Sequence, residues 1–477
     1  VVMKTVDVCI IGAGAGGLSV AAAAVQMGVS VVLIEQHKMG GDCLNYGCVP
    51  SKALLAVARK AHQISMAKQF GLDAQSMQID FSRVHDYVHR VVANIAPHDS
   101  VERFEQLGVK VILGSARFVD QRTVQVNHSV INAKRFIIAT GSSPNVPNVD
   151  GLADTPFLTN ETIFDLQQLP SHLIVMGSGP IGCELAQAYR RLGAEVTLLV
   201  GQRGLLAHDD RDNADILVRQ LQTEGVHLVS GGRPVSVNYH DGQFCIDYRY
   251  TDQEIEQVNG SHLLVAAGRQ PNIDGLSLQQ ADVRYNPSGI LVDQRLRTTN
   301  KRIFAIGDVI GHYRFTHMAS YHAGIIIRNV LIGLPTRVNY QAVPWVTYTD
   351  PEVAQVGLTV EQAQQKFGNK IHVQTWPYQD NDRAQADGET IGMVKVVVDQ
   401  KARVLGVSLV GHHVGEQLPL WIMAIQKRIR LSQIASLIFP YPTRSEVAKR
   451  LAGQYYAPMV FSNKMRFWVQ FLMWWRK

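Results

Sequence analysis

Near the start of the chain, a short and almost continuously apolar run is followed by a helical pattern and a second apolar run. The first run, "VDVCII" at 6–11, predicts a strand buried on both faces. After a glycine cluster, "LSVAAAAVQMG" predicts a helix, and "SVVLIE" predicts a second strand that ends at Glu35. A strand, a helix and a strand in this order are typical of a parallel α/β sheet.

The same order returns at 172–200, "HLIVMGSGPIGCELAQAYRRLGAEVTLLV". From about Pro344 the pattern changes to the strands "GMVKVVVD" and "RVLGVSLVG" followed by the helix "LPLWIMAIQKRI", which predicts a separate α+β domain. The expected fold class is therefore α/β, with two tandem α/β domains and a C-terminal α+β domain. A length of 477 residues fits about three domains.

Glycine spacing gives the first chemical indication. Gly12, Gly14 and Gly17 form the pattern G-x-G-x-x-G between the first strand and its helix. In that context the first glycine makes the turn, the second lets backbone approach a pyrophosphate, and the third permits close packing of the helix. Glu35, 18 positions after Gly17, is placed to bond a ribose hydroxyl. The alternative is a glycine-rich turn without a ligand.

A second fingerprint follows about 165 residues later, at Gly177, Gly179 and Gly182. That distance is too long for one site, so a second dinucleotide site is expected, and the two α/β domains are interpreted as tandem Rossmann-like dinucleotide-binding domains. The next strand ends at Val200, and "VGQRG" follows without an acidic residue. A carboxylate there would hold a free 2′-hydroxyl, whereas Arg203 can accept a 2′-phosphate. The sequence therefore favours NADPH over NADH; the alternative is that Arg203 is a solvated loop residue.

Composition and charge exclude several other classes. Hydrophobic residues make up 46% and charged residues 18% of the chain, unlike a disordered protein. Five cysteines are too few for a secreted disulfide scaffold and indicate a reducing, cytoplasmic compartment. The N-terminal apolar run continues directly into the glycine cluster, so we do not interpret it as a signal peptide. A net charge of +6 without a dense basic tract argues against nucleic-acid binding.

The stretch "GGDCLNYGCVPSKALL" places Cys43 and Cys48 five positions apart. A helix beginning around Pro50 would favour a thiolate at its N-terminus, and Lys52 adds positive charge. A metal-ligand role is disfavoured because no Cys or His at zinc spacing accompanies the pair. A redox pair and two unrelated buried thiols are the remaining alternatives.

Four further motifs, "ATGSSP", "AAGRQPN", "FAIGD" and "YTDPEVAQVG", accompany this stretch. Together, from about residue 4 to 455, these motifs resemble the FAD-dependent pyridine nucleotide-disulfide oxidoreductases, which include dihydrolipoamide dehydrogenase, glutathione reductase and mercuric reductase. The resemblance implies a homodimeric enzyme in which electrons pass from NAD(P)H through FAD to a Cys43–Cys48 disulfide, and then to an acceptor. The expected domains are 1–150 for FAD, 151–271 for NAD(P), 272–343 completing the FAD domain, 344–461 for the dimer interface, and a tail at 462–477.

The resemblance also implies roles for individual residues. Cys48 would be the thiolate next to the flavin, and Cys43 the thiol that exchanges with substrate. Lys52 would lie near the flavin and pair with Glu184, since a buried ammonium beside a reducible ring needs a counter-ion. The implied FAD contacts are Gly12, Gly14, Gly17, Glu35, Gly41, Asp42, Ala116, Thr140, Gly141, Ser142, Asp308 and Ala319. The other implied cofactor contacts are Gly177, Gly179, Ile181, Gly182, Val200, Arg203, Gly268 and Arg269.

One departure from the family pattern bears on the acceptor. The disulfide reductases of this family carry a C-terminal His-Pro-Thr-x-x-Glu segment whose His is the acid-base group, but this chain has "YPTRSE", with Tyr441 at the His position and Glu446 in place. Tyrosine, with an ordinary pKa of about 10, is a poor proton shuttle at neutral pH. We therefore expect weak reduction of lipoamide or glutathione and a different acceptor, such as a metal ion or a quinone.

The expected enzyme resembles mercuric reductase without two of its hallmarks. No cysteine follows Cys245, and no metal-binding domain precedes the first fingerprint. Dihydrolipoamide dehydrogenase is the alternative within this chemistry. A flavin-bound, membrane-associated redox sensor or scaffold is the alternative of another class.

The tail, "SNKMRFWVQFLMWWRK", has an aromatic pattern of its own. On a helix, its large apolar residues share one face and its polar residues the other. The run is too short to span a bilayer, which needs about 20 residues. Two interpretations stay open: an interfacial helix on the cytoplasmic membrane face, or docking on the protein itself or on its dimer mate. The apolar face comprises Phe467, Trp468, Phe471, Leu472 and Trp475, and the polar face Arg466, Gln470 and Lys477.

Overall fold

A computed structural model of the chain describes residues 5–73, 77–251 and 254–476. The described residues cluster into two units. Unit 1 holds residues up to 202 together with 227–338, and unit 2 holds 203–226 together with the residues from 339 onward. The first four residues, which the sequence assigns to the FAD domain, and Lys477 of the tail lie outside the described residues.

Unit 1 begins with a parallel sheet that matches the first predicted unit. Two predicted strands are confirmed, at Val6–Ile11 and at Val31–Glu35. Ile10 is fully buried, paired with Leu33 on one side and Ile137 on the other, which explains the continuous apolar run. The strands of this region are β1 Val6–Ile11, β2 Val31–Glu35, β3 Lys110–Leu113, β4 Ala116–Asp120, β5 Thr123–Val126, β6 Ser129–Ile138 and β7 Ser142–Pro144. The first six follow the order β3-β2-β1-β6-β5-β4 in the sheet, and β7 belongs to a separate two-stranded sheet.

A second parallel sheet carries the second fingerprint, in the order β10-β9-β8-β14. Its outer neighbour is an antiparallel sheet in the order β11-β12-β13. The strands are β8 His172–Met176, β9 Glu195–Val200, β10 His227–Ser230, β11 Arg233–His240, β12 Gln243–Arg249, β13 Ile255–Gly260, β14 His262–Val265 and β15 Arg269–Pro271. Three short strands complete unit 1, β16 Tyr285–Asn286, β17 Gly289–Ile290 and β18 Ile303–Ala305. β18 pairs with β6, so the chain returns to the first sheet after the second.

The helices of unit 1 connect these strands. The helix that the sequence places around Pro50 begins earlier, at Cys48, because a separate short helix carries Cys43. The helices are α1 Ala15–Gln26, α2 Gly41–Asn45, α3 Cys48–Ser65, α4 Phe81–Ile95, α5 Val101–Gln106, α6 Pro180–Arg191 and α8 Thr316–Ile326. A π-helical segment, Ile327–Ile332, continues α8.

Unit 2 contains the predicted α+β domain, built on an antiparallel sheet in the order β19-β20-β23-β22-β21. Trp421, Val407 and Leu451 lie in its core. The strands are β19 Pro344–Thr347, β20 Glu352–Gly357, β21 Ile371–Pro377, β22 Met393–Asp399 and β23 Val404–Gly411. The helices are α7 Arg211–Thr223, α9 Val360–Phe367, α10 Asp382–Asp387, α11 Leu418–Gln426, α12 Leu431–Ala435, α13 Val447–Val460 and α14 Asn463–Trp475.

The predicted fold class, α/β with a C-terminal α+β domain, is confirmed by these sheets. Within the described ranges, none of the helices has both the length and the apolar character that crossing a bilayer requires.

A buried ion pair fixes α7 on the sheet of unit 2. The Lys395 ammonium, on β22, lies 2.6 Å from an oxygen of Asp210 and 2.5 Å from one of Asp212. Side-chain exposure is 8% for Lys395 and 6% for Asp210. Asp210 also caps α7 by accepting the Asn213 N–H. Removing the ammonium would leave a buried carboxylate without its counter-charge.

We therefore expect Lys395→Met to lower the free energy of unfolding in urea by roughly 3 kcal/mol, since breaking a buried pair from one side costs about that much. Lys370→Met, at an exposed lysine of the same unit, serves as the matched control and should change the unfolding free energy little. Equal effects of the two substitutions would contradict the importance of the pair.

Candidate redox and cofactor sites

The first fingerprint forms a turn that only glycine can complete. Gly12 has a positive φ of 107°, and a Cβ there would lie 2.3 Å from the Ala139 carbonyl oxygen. A Cβ on Gly17 would lie 1.9 Å from the Gly12 carbonyl oxygen. Gly14, by contrast, faces open space, with nothing within 4 Å of a Cβ. The turn is closed on its inner side and open before the N-terminus of α1, as a phosphate cradle requires.

Glu35 lies at the end of β2 and is 7% exposed. One carboxylate oxygen accepts the Ala13 N–H at 2.7 Å, and the other accepts the His37 N–H at 2.7 Å. Each oxygen keeps a lone pair after these bonds. The carboxylate is therefore held at the fingerprint turn and still able to accept ribose hydroxyls, so the residues present fit the adenosine half of FAD.

The short helix α2, which carries Cys43, starts directly against this cradle. The Gly40 N–H donates to the Ala13 carbonyl at 2.9 Å. Gly41 has a φ of 63°, and a Cβ on it would lie 2.8 Å from the Gly14 Cα. The backbone of Gly40 and Gly41 thus contacts the backbone of the first fingerprint directly, and a side chain at Gly41 would push the two apart. This contact fixes the position of the cysteine-bearing helix α2 relative to the fingerprint turn.

Cys43 and Cys48 are both free thiols in the structure and lie within hydrogen-bond reach of each other. The bond from Cys43 lowers the pKa of Cys48 to about 6; the Thr316 hydroxyl and the Lys52 ammonium act in the same direction, and partial burial opposes them. The same bond raises the pKa of Cys43. Cys48 is therefore the thiolate of the pair at neutral pH.

Thr316, at the first turn of α8, places its hydroxyl oxygen 3.4 Å from the Cys48 sulfur. A thiolate at Cys48 can accept this hydroxyl, and the N-terminal end of a helix favours negative charge. The two residues are 268 positions apart. The sequence analysis did not identify Thr316, because no local pattern connects it with the cysteines.

Lys52, on α3, lies 2.8 Å from the Glu184 carboxylate on α6. Side-chain exposure is 37% for Lys52 and 4% for Glu184. The pair joins the helix of the redox cysteine to the helix that follows the second fingerprint. A buried carboxylate such as that of Glu184 is costly without a positive partner, so the ion pair favours the charged form of both residues.

Arg269 is a second charge that joins separate motifs. Its guanidinium donates to the Ser142 hydroxyl at 2.8 Å and lies 3.2 Å from the Asp42 carboxylate, next to Cys43. The Ser142 hydroxyl in turn donates to Asp308 at 2.6 Å. Burial raises the pKa of Asp308, and Ser142 and Arg269 oppose that shift. These four predicted cofactor residues therefore form one network.

Asn160 is a further residue that the sequence analysis did not identify. Its amide donates to the Asp42 carboxylate at 3.1 Å and to the Tyr46 carbonyl at 3.0 Å. It therefore holds α2 both at Asp42, which Arg269 also contacts, and at the residue that follows the helix. A single asparagine in a loop carries no sequence signal for such a role.

The second fingerprint repeats the construction of the first. Gly177 has a φ of 125°, with a Cβ position 2.3 Å from the Ala266 carbonyl oxygen. A Cβ on Gly182 would lie 1.8 Å from the Gly177 oxygen, whereas Gly179 faces open space. The residues present therefore also fit a dinucleotide pyrophosphate at the N-terminus of α6.

The other predicted cofactor residues lie around these two turns. Thr140 bonds through its hydroxyl to the Asn272 carbonyl at 2.7 Å. Ala319, on α8, lies against the positions of Gly16 and Gly307, where larger side chains would collide. Ala116 begins β4, Gly141 precedes β7, Ile181 lies on α6, Val200 ends β9, and Gly268, with a φ of 100°, precedes β15.

Arg203 belongs to unit 2 and is solvent-exposed. Its carbonyl oxygen accepts a hydrogen bond from Arg211 at 3.3 Å. In this position its guanidinium is accessible to a ligand, and its part in NADPH selection stays a prediction.

Tyr441 and Glu446 also lie in unit 2. Tyr441 is 68% exposed and donates its hydroxyl to Asp382 at 3.0 Å. That bond raises the pKa of Tyr441 above its ordinary value. Glu446 accepts from the Arg450 guanidinium at 3.0 Å. The tyrosine therefore stays protonated at neutral pH and cannot serve as a base.

The fold and these sites define a class, the dinucleotide-dependent oxidoreductases with a thiol pair beside the nucleotide turn. Residues 6–323 match the model of the pyridine nucleotide-disulphide oxidoreductases, and residues 343–452 match the dimerisation domain of the same proteins. The chain belongs to the pyridine nucleotide-disulphide oxidoreductase family, which confirms the resemblance seen in the sequence. It is an enzyme of a family that uses FAD and NAD(P)H, and its dimerisation domain supports a homodimer.

Similar proteins fall into three groups within this family. A mercuric reductase of Lysinibacillus sphaericus is 35% identical over 94% of this chain and 82% of its own length. A dihydrolipoyl dehydrogenase of Geobacillus stearothermophilus is 32% identical over 94% of this chain and 95% of its own. The solved Cu(II) complex of the HOCl-induced flavoprotein disulfide reductase RclA from Escherichia coli has a TM-score of 0.85 at 29% identity, covering 95% of this chain and 100% of that one.

The Thr316 hydroxyl leads to a prediction about Cys48. Thr316→Val should raise the pKa of Cys48 by about one unit, since a hydrogen bond to a charged group contributes roughly 1.5 kcal/mol. The thiolate fraction at pH 6 to 7 should fall accordingly, because the folded protein now holds the Cys48 pKa near 6. The measurement is the pH dependence of iodoacetamide alkylation at Cys48, read by peptide mass spectrometry.

Thr316→Ser keeps the hydroxyl and is the control. It should retain the alkylation profile of the unchanged protein. If the valine and serine variants titrate alike, the hydroxyl does not contribute to the thiolate.

Proposed function

We propose that this protein is an NADPH-dependent flavoprotein reductase whose Cys43 and Cys48 pass electrons to a thiophilic metal ion, such as Hg²⁺ or Cu²⁺. A quinone is the second acceptor class, and a disulfide is the least favoured. The observation that carries the proposal is Tyr441, which occupies the acid-base position and whose pKa is raised by its bond to Asp382. A disulfide substrate needs a proton at its leaving thiol, whereas a thiolate-bound metal ion does not.

The relatives support a metal ion within this proposal. One is a mercuric reductase, and another is a disulfide reductase solved as a Cu(II) complex. Thiolates are soft ligands that select such ions. We therefore propose that Cys43 and Cys48 receive the ion themselves.

The chain's own residues prepare the chemistry. FAD, when bound, supplies a hydride acceptor that passes two electrons to the cysteine pair. Glu35 and the Gly14 turn would hold its adenosine diphosphate half, and Asp308, Ser142 and Arg269 its middle part. Cys48 holds a thiolate at neutral pH, and Cys43 keeps its proton.

Lys52 contributes a fixed positive charge. Its ammonium stays paired with the buried Glu184 carboxylate at 2.8 Å. A cation held beside a reducible ring favours the reduced, negatively charged form. We assign Lys52 and Glu184 to this electrostatic role.

The proposal extends to the subunit arrangement and the location of the enzyme. The dimer would complete each redox site with the partner subunit's Tyr441 and the partner subunit's Glu446, so a monomer would be inactive. The tail at 462–477 would place the enzyme peripherally on the cytoplasmic face of a membrane.

Dihydrolipoamide dehydrogenase is the second candidate, favoured by the similarity to the Geobacillus stearothermophilus enzyme. A flavin-bound redox sensor is the candidate of another class. Such a sensor would reduce its flavin with NADPH but show negligible turnover with every acceptor.

An acceptor panel separates these functions. With NADPH at pH 7, we expect oxidation rates with Hg²⁺, Cu²⁺ or menadione to exceed those with lipoamide or oxidised glutathione by at least about tenfold. Tyr441→His should raise the lipoamide rate by roughly a hundredfold, the usual contribution of a positioned general acid or base.

Tyr441→Phe is the matched control, since it removes the hydroxyl without introducing a titrating imidazole, and it should bring no gain with lipoamide. Rapid lipoamide turnover by the unchanged protein would show that the second candidate is correct. Rapid flavin reduction without turnover would show a sensor.

The NADPH preference depends on Arg203. Arg203→Glu should lower the ratio of kcat/KM for NADPH to that for NADH by roughly tenfold to a hundredfold, because a carboxylate repels a 2′-phosphate and accepts from a free 2′-hydroxyl. The measurement is steady-state oxidation of each nucleotide with the best acceptor of the panel. Arg219→Glu makes the same charge change at an exposed position on α7 and should leave the ratio unchanged. A ratio that is equal in both variants would refute the assignment of Arg203.

A further inference from the structure

The C-terminal helix α14 presents its whole circumference to solvent. Every residue from Asn463 to Arg476 is exposed. Phe467 is 68% exposed, Trp474 72% and Trp475 71%. Single exposed apolar residues are common, but a continuous apolar surface of this kind marks an interaction site.

The helix is a formed element and not an irregular end. Ser462 caps it by accepting the Met465 N–H at 3.3 Å. Its aromatic side chains contact one another, with ring centroids of Trp468 and Phe471 6.0 Å apart and those of Phe471 and Trp474 6.2 Å apart. Its 13 residues extend about 20 Å, which is shorter than the hydrocarbon core of a bilayer.

The apolar surface covers most of the helix circumference and leaves a narrow polar stripe. With 100° between successive residues, Arg466, Gln470 and Asn463 lie close together on one side. Phe471, Trp468 and the rest of the apolar residues occupy the other sides. Lys464, near the N-terminal end of the helix, also lies on the apolar side, where its long side chain can extend toward the headgroups. A helix of this shape that is too short to span can lie in the plane of a membrane interface with its polar stripe toward water.

The charge of the C-terminal residues indicates what kind of surface α14 binds. From residue 447 to 477 the sequence contains no Asp or Glu, whereas it contains six basic residues, Lys449, Arg450, Lys464, Arg466, Arg476 and Lys477. Basic residues beside an aromatic face complement anionic headgroups. Two such helices from copies of this chain, both positive, would repel each other.

We infer that α14 docks on a phospholipid surface with anionic headgroups, its aromatic residues inserted between the lipids and its basic residues at the phosphates. The inference rests on the membrane contact in the proposed function and is independent of the redox chemistry. Trp and Phe would supply the insertion, and Lys464, Arg466 and Arg476 the selectivity for negative lipids.

The test uses the holoenzyme and two vesicle types, phosphatidylcholine alone and phosphatidylcholine with phosphatidylglycerol. Co-sedimentation should be at least about tenfold stronger on the anionic vesicles, with a blue shift of tryptophan emission. Lys464→Gln with Arg466→Gln should weaken binding to anionic vesicles by about 25-fold, since each basic residue near such a surface contributes about 1 kcal/mol. Trp468→Ala with Trp475→Ala should abolish both the binding and most of the shift.

Matched controls are Lys370→Gln for charge and Phe70→Ala, at a residue that is 55% exposed, for apolar surface; both should bind as the unchanged protein does. The inference is overturned by equal binding to both vesicle types, or by loss of binding in the controls as well. It is also overturned if the tryptophan variant changes the oligomeric state without vesicles, because α14 would then dock on another copy. NADPH oxidation with the acceptor panel, measured without vesicles on the same preparations, separates a failure of lipid docking from a failure of the redox function.

Discussion

The close approach of two backbone turns is the constraint on which the rest of the redox site depends. A Cβ on Gly41 would lie only 2.8 Å from the Gly14 Cα, which is too close for any side chain. The Gly40 N–H also donates to the Ala13 carbonyl. Because both contacts involve backbone, the cysteine turn cannot shift without disturbing the nucleotide turn. A side chain at Gly41 would separate the two turns, so steric exclusion sets the position of Cys43 together with the bonds of Asn160 and Arg269 to Asp42.

Electrostatic contacts then connect this rigid centre to the rest of unit 1. Lys52 and Glu184 join α3 to α6, and Arg269 joins Asp42 to Ser142 and Asp308. Each contact pairs groups from motifs that are far apart in sequence, and most of the charges are partly or fully buried. Buried charges without partners are costly. The segments that carry the two glycine fingerprints and the cysteine pair are therefore mutually dependent, which is consistent with the proposed function.

Two groups that the proposed function invokes differ in their proton chemistry. At the thiol pair, hydrogen bonds and positive charge lower the pKa of Cys48 and favour a thiolate. In the C-terminal segment, the hydrogen bond to Asp382 raises the pKa of Tyr441. The Tyr441 hydroxyl therefore does not exchange its proton readily at neutral pH. A thiolate without a proton shuttle is better matched to a soft electrophile than to a disulfide. Within the proposed function, this contrast is the argument for a metal-ion acceptor over lipoamide.

The sequence by itself determined the strands at 6–11 and 31–35, both glycine fingerprints and the cysteine pair, because each depends on neighbours within about 30 positions. It also determined the family, because several such local motifs occur together along the chain. The C-terminal helix was also predicted, since its apolar residues recur with helical period. Only the tertiary structure decided that Thr316 lies beside Cys48, that Asn160 and Arg269 hold Asp42, and that α3 starts at Cys48. The physical reason is that a contact between residues more than a hundred positions apart leaves no periodic trace in the chain. It is set by how the sheets and helices pack, and its energy depends on a geometry that no local pattern encodes.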